Sequence, residues 1–144
     1  MQKFFKQYVL YIAWIQSLVA VFGSLYFSEI VHFPPCILCW YQRIFMYPLA
    51  IIIPIGIVKK DKKIYQYVLP LAIVGSIFGF YHNLLYYGIV PESLAPCVAG
   101  VSCTTKFIEF FGFITIPFLS LSAFLVIIAC MLLYRKFNLK KGKK

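Results

Sequence analysis

Four long apolar stretches constrain the fold of this chain more than any other feature of its sequence. They cover four ranges, residues 8–27, 41–58, 67–87 and 113–134. At a rise of about 1.5 Å per residue, helices of this length cross a hydrocarbon core of about 30 Å. None of the stretches alternates as a barrel strand does, and in lipid a continuous apolar run satisfies its backbone only as a helix. The sequence therefore predicts an all-α integral membrane protein, a single four-helix bundle over residues 1–144.

The scarcity of acidic residues argues against a soluble domain. The chain has 144 residues, of which 62% are hydrophobic and only four are acidic, and this leaves too little polar surface for a soluble domain of its size. The first apolar run follows positive residues, as in a secretion signal, but it is longer than a signal's apolar region and lacks a clean small-residue cleavage site. We therefore expect it to be retained as the first span.

The basic residues predict how the bundle is oriented. Lysines and arginines in short loops resist translocation and so mark the cytoplasmic side. Twelve of the fourteen lie before the first span, between the second and third, or after the fourth. With four spans, the N- and C-termini are then cytoplasmic, and residues 28–39 and 88–112 form loops outside the membrane. This topology accounts for the net charge of +10 and leaves no basic patch for a nucleic acid.

Four of the five cysteines fall in these two outer loops. Cys36 and Cys39 form a Cys-X-X-Cys at the start of the second helix, and Cys97 and Cys103 lie in the second loop. Outside the cytoplasm, thiols pair and persist as disulfides. Because a proline pair precedes Cys36 and suits a first helical turn, both sulfurs of the motif should lie near the positive end of the helix dipole, where the pKa of a thiol falls. The pattern indicates redox-active cysteines.

Two structural interpretations of the cysteines compete with a redox role. As staples, closed loops of about four and about seven residues would each remove only roughly 2 kcal/mol of unfolded-chain entropy, a small gain in a bundle already held by the bilayer. If the four cysteines bound zinc, the spacing of the second pair would be wider than is usual for a zinc site. Cys130 lies in the fourth span, far from the other four, and is interpreted as an ordinary buried cysteine.

Two polar residues near the outer ends of the spans extend the candidate site. Arg43 stands four positions after Cys39, so both share a helix face one turn apart. Its guanidinium can stabilise a thiolate or the negative charge that develops on a quinone oxygen, unless it only contacts lipid headgroups. His82, late in the third span, should lie at the same depth and can hydrogen-bond a quinone carbonyl, move protons or serve as polar packing. We therefore predict that Arg43, Cys39 and His82 bind a quinone.

Residues 35–43, with the sequence Pro-Cys-Ile-Leu-Cys-Trp-Tyr-Gln-Arg, resemble the disulfide bond formation protein B (DsbB) family, particularly its short Gram-positive-type branch, often called BdbC. The likeness extends over the whole chain. It includes four spans, a Cys-X-X-Cys that opens the second, an arginine four residues later, a histidine late in the third, and a cysteine pair in the second outer loop. The short spacing of Cys97 and Cys103 departs from the better-known proteobacterial members, which separate this pair more widely.

The resemblance implies an enzyme of the bacterial cytoplasmic membrane, a thiol oxidase with both cysteine pairs outside. It would reoxidise an extracytoplasmic thioredoxin-fold partner, DsbA-like or BdbD-like, and pass the electrons to a membrane quinone, menaquinone or ubiquinone. The reduced partner would attack the disulfide of Cys97 and Cys103 at Cys97. Cys103 would then exchange with Cys36, which would leave Cys39 as a thiolate beside Arg43 to donate to the quinone.

Other classes of protein remain open at the level of sequence. A vitamin K epoxide reductase-like enzyme shares four or more spans, a Cys-X-X-Cys and a quinone, but places that motif late in the chain. A non-enzymatic membrane protein with structural disulfides, or a metal carrier that uses the four outer cysteines, would need no quinone. Resistance of the cysteines to mild reductant would indicate staples, and protection from alkylation until a chelator is added would indicate a metal.

Overall fold

The part of the chain that the structure describes consists of four long helices and their connections, without a strand. The structure is a computed structural model, which describes residues 2–91, 93, 102–104 and 115–141. The helices are α1 (Gln2–Leu25), which continues into a π-helical turn (Tyr26–Ile30), α2 (Ile37–Val58), α3 (Tyr65–Tyr86) and α4 (Ile116–Lys141). The predicted all-α four-helix bundle is confirmed.

The surfaces of these helices are those of a multi-pass membrane protein. All four helices are long and apolar enough to cross a membrane, and only 22% to 39% of each hydrophobic window is buried inside the protein. Many large apolar side chains therefore face outward, where lipid is a better solvent for them than water. The exposed ones include large residues on every helix, such as Ile12, Phe22, Ile51, Ile77 and Leu132.

The helices form a closed ring. Each packs on the next along the chain, and α4 packs on α1, whereas the diagonal pair α2 and α4 touches little. The main core fills the axis of the ring with buried side chains such as Leu49, Ile53 and Phe124. At Gly75 the backbone of α3 passes so close to Phe124 that a Cβ atom would lie 2.3 Å from its ring. A larger residue there would push α3 and α4 apart.

A side-chain contact compensates for a proline inside α2. Pro54 has no backbone N–H, so the carbonyl of Ala50, four residues earlier, loses its helical donor. The indole N–H of Trp14 on α1 donates to that carbonyl at 3.2 Å. In a membrane span an unpaired carbonyl is costly, and such contacts are what make prolines tolerable there.

Polar contacts tie the termini to the connection between α2 and α3. On α4, the Tyr134 hydroxyl donates to the carbonyl of Asp61 at 2.9 Å, and the Asn138 side chain donates to the carbonyl of Lys62 at 3.3 Å. Lys6 of α1 donates to the Asn138 side chain and lies over the Tyr134 ring. Both termini and this connection therefore share one end of the bundle, as the lysine distribution predicts. That this end faces the cytoplasm stays a prediction.

The opposite end carries the cysteines. Helix α2 begins at Ile37, ahead of the predicted span, and α3 ends where Gly88 adopts a left-handed conformation (φ 72°) that only glycine enters easily. A second, smaller core lies between these two helix ends. It is built from buried residues of both cysteine-bearing connections and both helices: Cys36, Leu38, Leu85 and Cys103.

Candidate active site

Cys36 is the N-cap residue of α2. Its backbone is extended (φ −71°, ψ 169°), and its sulfur accepts a hydrogen bond from the backbone N–H of Cys39 at 3.3 Å. Pro34 and Pro35 favour extended backbone before it, so helical geometry starts only at Ile37. The sulfur thereby satisfies one of the amides that every helix start leaves unpaired, at the positive end of the helix dipole.

Three donors converge on the Cys36 sulfur. Besides the Cys39 amide, they are the Cys39 thiol, whose sulfur lies 2.9 Å away, and His82 Nε2 at 3.7 Å. The hydrogen bond from the Cys39 thiol, with help from His82, lowers the pKa of Cys36 to about 4, although burial of the thiol acts in the opposite direction. Cys36 is therefore the thiolate when this pair is reduced. The resemblance implies a Cys39 thiolate in a different state, with Cys36 bonded to Cys103.

His82 connects the two segments that carry the cysteines. Its Nε2 lies 3.2 Å from the carbonyl oxygen of Cys103 as well as 3.7 Å from the Cys36 sulfur, and its Nδ1 lies 2.9 Å from the side-chain nitrogen of Gln42. Gln42 and His82 are only 5% and 3% exposed. Because water cannot compete at such buried positions, these hydrogen bonds constrain the site strongly.

Cys103 places a disulfide next to the Cys36 thiolate. Cys36 and Cys39 are free thiols, whereas Cys103 is disulfide-bonded; its predicted partner, Cys97, lies outside the described residues. The sulfurs of Cys36 and Cys103 and a ring nitrogen of His82 all lie within 4.8 Å of one another. Cysteine thiolates and histidine imidazoles are also common metal ligands, but a sulfur held in a disulfide is not a thiolate ligand. The arrangement therefore suits thiol-disulfide exchange, in which a thiolate attacks a neighbouring disulfide sulfur.

Arg43 is held between α1 and α2 beside this pair. It lies one helical turn after Cys39, as predicted. Its Nε donates to the Ser24 hydroxyl at 2.8 Å, its Nη2 donates to the Ser24 carbonyl at 3.0 Å, and its guanidinium carbon lies 5.3 Å from the centre of the Trp40 ring. These contacts fix the guanidinium in place and leave it in the wall of a cavity that Cys39 also lines.

That cavity has a volume of about 310 Å³, and all four helices contribute to its wall. Two of the wall residues, Val19 on α1 and Leu119 on α4, are also 60% and 48% exposed on the outer surface. The cavity therefore borders the lipid between α1 and α4. Its polar wall residues include Gln16, Ser24, Gln42, Arg43, Tyr47, His82 and Ser120.

Tyr47 carries a polar atom that the protein itself does not satisfy. It follows Arg43 by one turn on α2 and lines the same cavity. Its hydroxyl is shielded from solvent and has no hydrogen-bond partner among the described residues. A buried hydroxyl without a partner is unfavourable, and a ligand with an acceptor oxygen would satisfy it.

The structure thus brings most of the predicted site residues to one end of the bundle: Cys36, Cys39, Arg43, His82 and Cys103. Cys130 lies in the main core, as expected, and His32 is exposed. Sequence reasoning did not identify Gln42, Ser24 or Tyr47. An amide in an apolar helix three residues after Cys39 is a signal that points to Gln42, whereas Tyr47 has many tyrosine and phenylalanine neighbours and gives no comparable signal.

Four membrane-length helices that hold a Cys-X-X-Cys against a disulfide define a membrane thiol-disulfide oxidoreductase. Comparison with known families gives the same answer. The family model described as "Disulfide bond formation protein DsbB" matches residues 6–134, so the chain belongs to the DsbB family. The resemblance drawn from residues 35–43 is thereby confirmed.

Bacterial relatives support this assignment along nearly their whole length. The chain is 49% identical over 126 residues to "Disulfide bond formation protein C" of Bacillus subtilis. The matched region covers 88% of this chain and 91% of that protein. It is 46% identical over 125 residues to "Probable disulfide formation protein C 1" of Bacillus anthracis, with 87% and 90% covered. It is also 36% identical over 129 residues to "Probable disulfide formation protein" of Metapseudomonas resinovorans, with 89% and 90% covered. No solved structure matches the chain.

The lowered pKa of Cys36 predicts an unusual pH dependence of its alkylation. Above about pH 5 the thiolate is already fully formed, so the rate at Cys36 should stay nearly constant, whereas that of an ordinary thiol falls tenfold per pH unit below about pH 8. His82→Ala removes one donor to the Cys36 sulfur, so it should raise the pKa of Cys36. The pH below which alkylation of Cys36 slows should then rise by about one unit. Site-resolved mass spectrometry after short pulses of iodoacetamide measures both.

His32→Ala is the matched control, because His32 is exposed and forms no hydrogen bond to a cysteine among the described residues. It should leave the profile unchanged. A native Cys36 that loses reactivity already below about pH 8, as a free cysteine does, would contradict the assignment of the thiolate.

Proposed function

We propose that this protein reoxidises a thioredoxin-fold dithiol protein outside the cytoplasmic membrane and passes the electrons to a membrane quinone. One observation carries the proposal. The Cys36 sulfur lies within 4.8 Å of the disulfide-bonded Cys103 sulfur on one side and 2.9 Å from the Cys39 sulfur, in the wall of the cavity, on the other. It is therefore the connection between a disulfide in the second loop and a site that borders lipid.

The exchange reactions balance as four thiolate attacks. A thiolate of the reduced dithiol protein attacks Cys97, forms a mixed disulfide and releases the Cys103 thiolate. Cys103 attacks Cys36 of an oxidised Cys36–Cys39 pair, forms a Cys36–Cys103 bond and releases the Cys39 thiolate. The second thiolate of the dithiol protein then displaces Cys97 and leaves that protein oxidised. Finally Cys97 attacks Cys103, which restores the first disulfide and releases Cys36.

The state reached after these steps corresponds to the structure. Cys36 and Cys39 are reduced and Cys103 is in a disulfide. The two electrons taken from the dithiol protein then lie on the pair next to the cavity. Because the donors around Cys36 stabilise its thiolate, they favour the reduced form of this pair and make its oxidised form a stronger oxidant. The local chemistry thus favours electron flow from the second loop toward the cavity.

The cavity fits the head group of a quinone. Its volume of about 310 Å³ lies at the small end of the roughly 300–1,000 Å³ range of ligand sites. A bound quinone would accept two electrons and two protons. Arg43 would stabilise the negative charge on one of its oxygens, and the unpartnered hydroxyl of Tyr47 would donate a hydrogen bond to an oxygen. The opening toward lipid between α1 and α4 would admit an isoprenoid tail, as in menaquinone or ubiquinone.

Family membership favours this reaction over the alternatives left open by the sequence. A DsbB-family chain with its Cys-X-X-Cys at the start of α2 does not follow the vitamin K epoxide reductase-like order. A purely structural disulfide would not need a buried thiolate beside it. The metal-carrier alternative needs reduced Cys103, which the structure holds in a disulfide.

The central test is quinone reduction by the purified protein, with a reduced thioredoxin-fold protein as electron donor. Native protein should turn over; Cys39→Ser should be inactive, because the electrons then have no second sulfur beside the cavity. Arg43→Ala should lose about 100-fold in turnover, the usual cost of removing a charge-stabilising donor. Cys130→Ser and Arg135→Ala are matched controls at the far end of the bundle and should stay near native.

If the native protein reduces no quinone while its cysteines remain oxidised and inert, the oxidase proposal fails. The account of a membrane protein with structural disulfides would then replace it.

Removal of the Tyr47 hydroxyl tests the quinone site independently of the cysteines. Tyr47→Phe should raise the KM for a tail-less dimethyl-naphthoquinone about fivefold to tenfold, the value of one hydrogen bond. The rate at which a reduced dithiol protein reduces the cysteines should not change. Tyr11→Phe, on the exposed face of α1, is the control. An unchanged KM in Tyr47→Phe would exclude the hydroxyl from the site.

A further inference from the structure

Gln42 occupies an unusual position in the site, because it forms no hydrogen bond to the cysteine sulfurs among the described residues but forms one to His82, which contacts the Cys36 sulfur. Its side-chain nitrogen lies 2.9 Å from His82 Nδ1. A neutral imidazole has one N–H and one acceptor nitrogen. When the Gln42 amide donates to Nδ1, the imidazole proton must lie on Nε2. Nε2 is the nitrogen that faces the Cys103 carbonyl at 3.2 Å and the Cys36 sulfur at 3.7 Å.

We propose that Gln42 is a positioning residue for exchange between the two cysteine pairs: it fixes the His82 proton on Nε2, where it holds the Cys103 backbone beside the Cys36 sulfur. The inference rests on the proposed relay, but only on its exchange between Cys36 and Cys103, and not on the quinone. It gives His82 a role on the cysteine side of the site in addition to the predicted quinone contact.

The geometry gives the Nε2–H two functions. Its hydrogen bond to the Cys103 carbonyl anchors the second loop to α3, which keeps the Cys103 and Cys36 sulfurs within 4.8 Å of each other. Its contact with the Cys36 sulfur stabilises negative charge there whenever Cys36 leaves as a thiolate. With the proton on Nδ1 instead, a ring lone pair would face both the carbonyl oxygen and the thiolate, and both contacts would become repulsive.

The burial of the group explains why a second residue is needed to set the tautomer. Water cannot donate to Nδ1, since His82 and Gln42 are almost fully buried. The titratable and charged groups around His82 lie at the start of α2 and on α3: Cys36, Cys39, Arg43 and Tyr86. The Cys103 disulfide is neutral. No carboxylate among the described residues contacts the ring, so the Gln42 amide at Nδ1 and the Cys103 carbonyl at Nε2 together keep the proton on Nε2.

A glutamate in place of Gln42 would reverse this preference. A carboxylate accepts a hydrogen bond and cannot donate one, so it would draw the proton of a neutral imidazole to Nδ1. The Nε2–H would then survive only while His82 is protonated on both nitrogens, at low pH. Gln42→Glu should therefore introduce a pH dependence that neither the parent chain nor a purely structural defect would show.

The test uses a chain in which exchange between the pairs occurs without a dithiol protein or a quinone. In Cys39→Ser, the Cys36 thiolate attacks Cys103, forms a Cys36–Cys103 bond and releases its former partner, predicted to be Cys97, as a thiolate. The serine hydroxyl still serves as a donor to Cys36. Excess iodoacetamide traps either Cys36 before exchange or Cys97 after it, and the ratio of the two products, measured by mass spectrometry, reports how far the exchange has proceeded.

In this background, Gln42→Leu should lower the ratio of Cys97 to Cys36 product about tenfold relative to the parent at the same pH. Gln42→Glu should lower the ratio about tenfold at neutral pH and match the parent at low pH, where both ring nitrogens carry a proton. Gln66→Leu and Gln66→Glu, changes at an exposed glutamine on α3, should have no effect.

Two results would overturn the proposal: a ratio in Gln42→Leu within twofold of the parent, or a loss in Gln42→Glu that does not depend on pH. Recovery of Gln42→Glu at low pH also shows that the variant is folded. A failure of the quinone proposal would leave this assay unaffected, because no quinone is present in it.

Discussion

The candidate site depends on the hydrogen bonds that converge on one sulfur atom, that of Cys36. The same atom caps α2, accepts from the amide and thiol of Cys39 and from His82, and lies beside the Cys103 disulfide. A helix start needs an acceptor at this position, and a nucleophilic thiol needs donors. Both requirements are met by the same contacts. The contacts that begin α2 therefore also stabilise the reduced form of the pair and thereby favour the flow of electrons into it.

The two ends of the bundle are built differently, and the difference suits the proposed reaction. At the end with the termini, Tyr134 and Asn138 tie α4 to the connection between α2 and α3, and the main core fills the axis. At the other end a small cluster around Cys36 and Cys103 stands beside a cavity that borders lipid. In the proposed reaction, the bundle would hold a site that accepts both a large thiol protein from outside and an apolar molecule from the membrane.

The sequence predicted the parts of this molecule that follow from local rules. Apolar length predicted the helices, and the spacing of Arg43 from Cys39 predicted that both line one face, because helical periodicity is a local property. The sequence could not predict contacts between segments that are distant along the chain. The pairing of Gln42 with His82, of Arg43 with Ser24, and the unpartnered Tyr47 hydroxyl depend on how the helices rotate against each other, and apolar helices with little amphipathic pattern do not encode that rotation locally. Which side of the membrane each end faces still rests on the lysines.

In the proposed relay, electrons pass through Cys36 and come to rest on the pair next to the cavity. The most direct measurement is to add one equivalent of a reduced thioredoxin-fold protein to fully oxidised, quinone-free protein, quench with acid, and identify the reduced cysteines by alkylation and mass spectrometry. Cys36 and Cys39 should carry the label while Cys103 remains in its disulfide. Label that stays on Cys103, with Cys36 and Cys39 still oxidised, would contradict it.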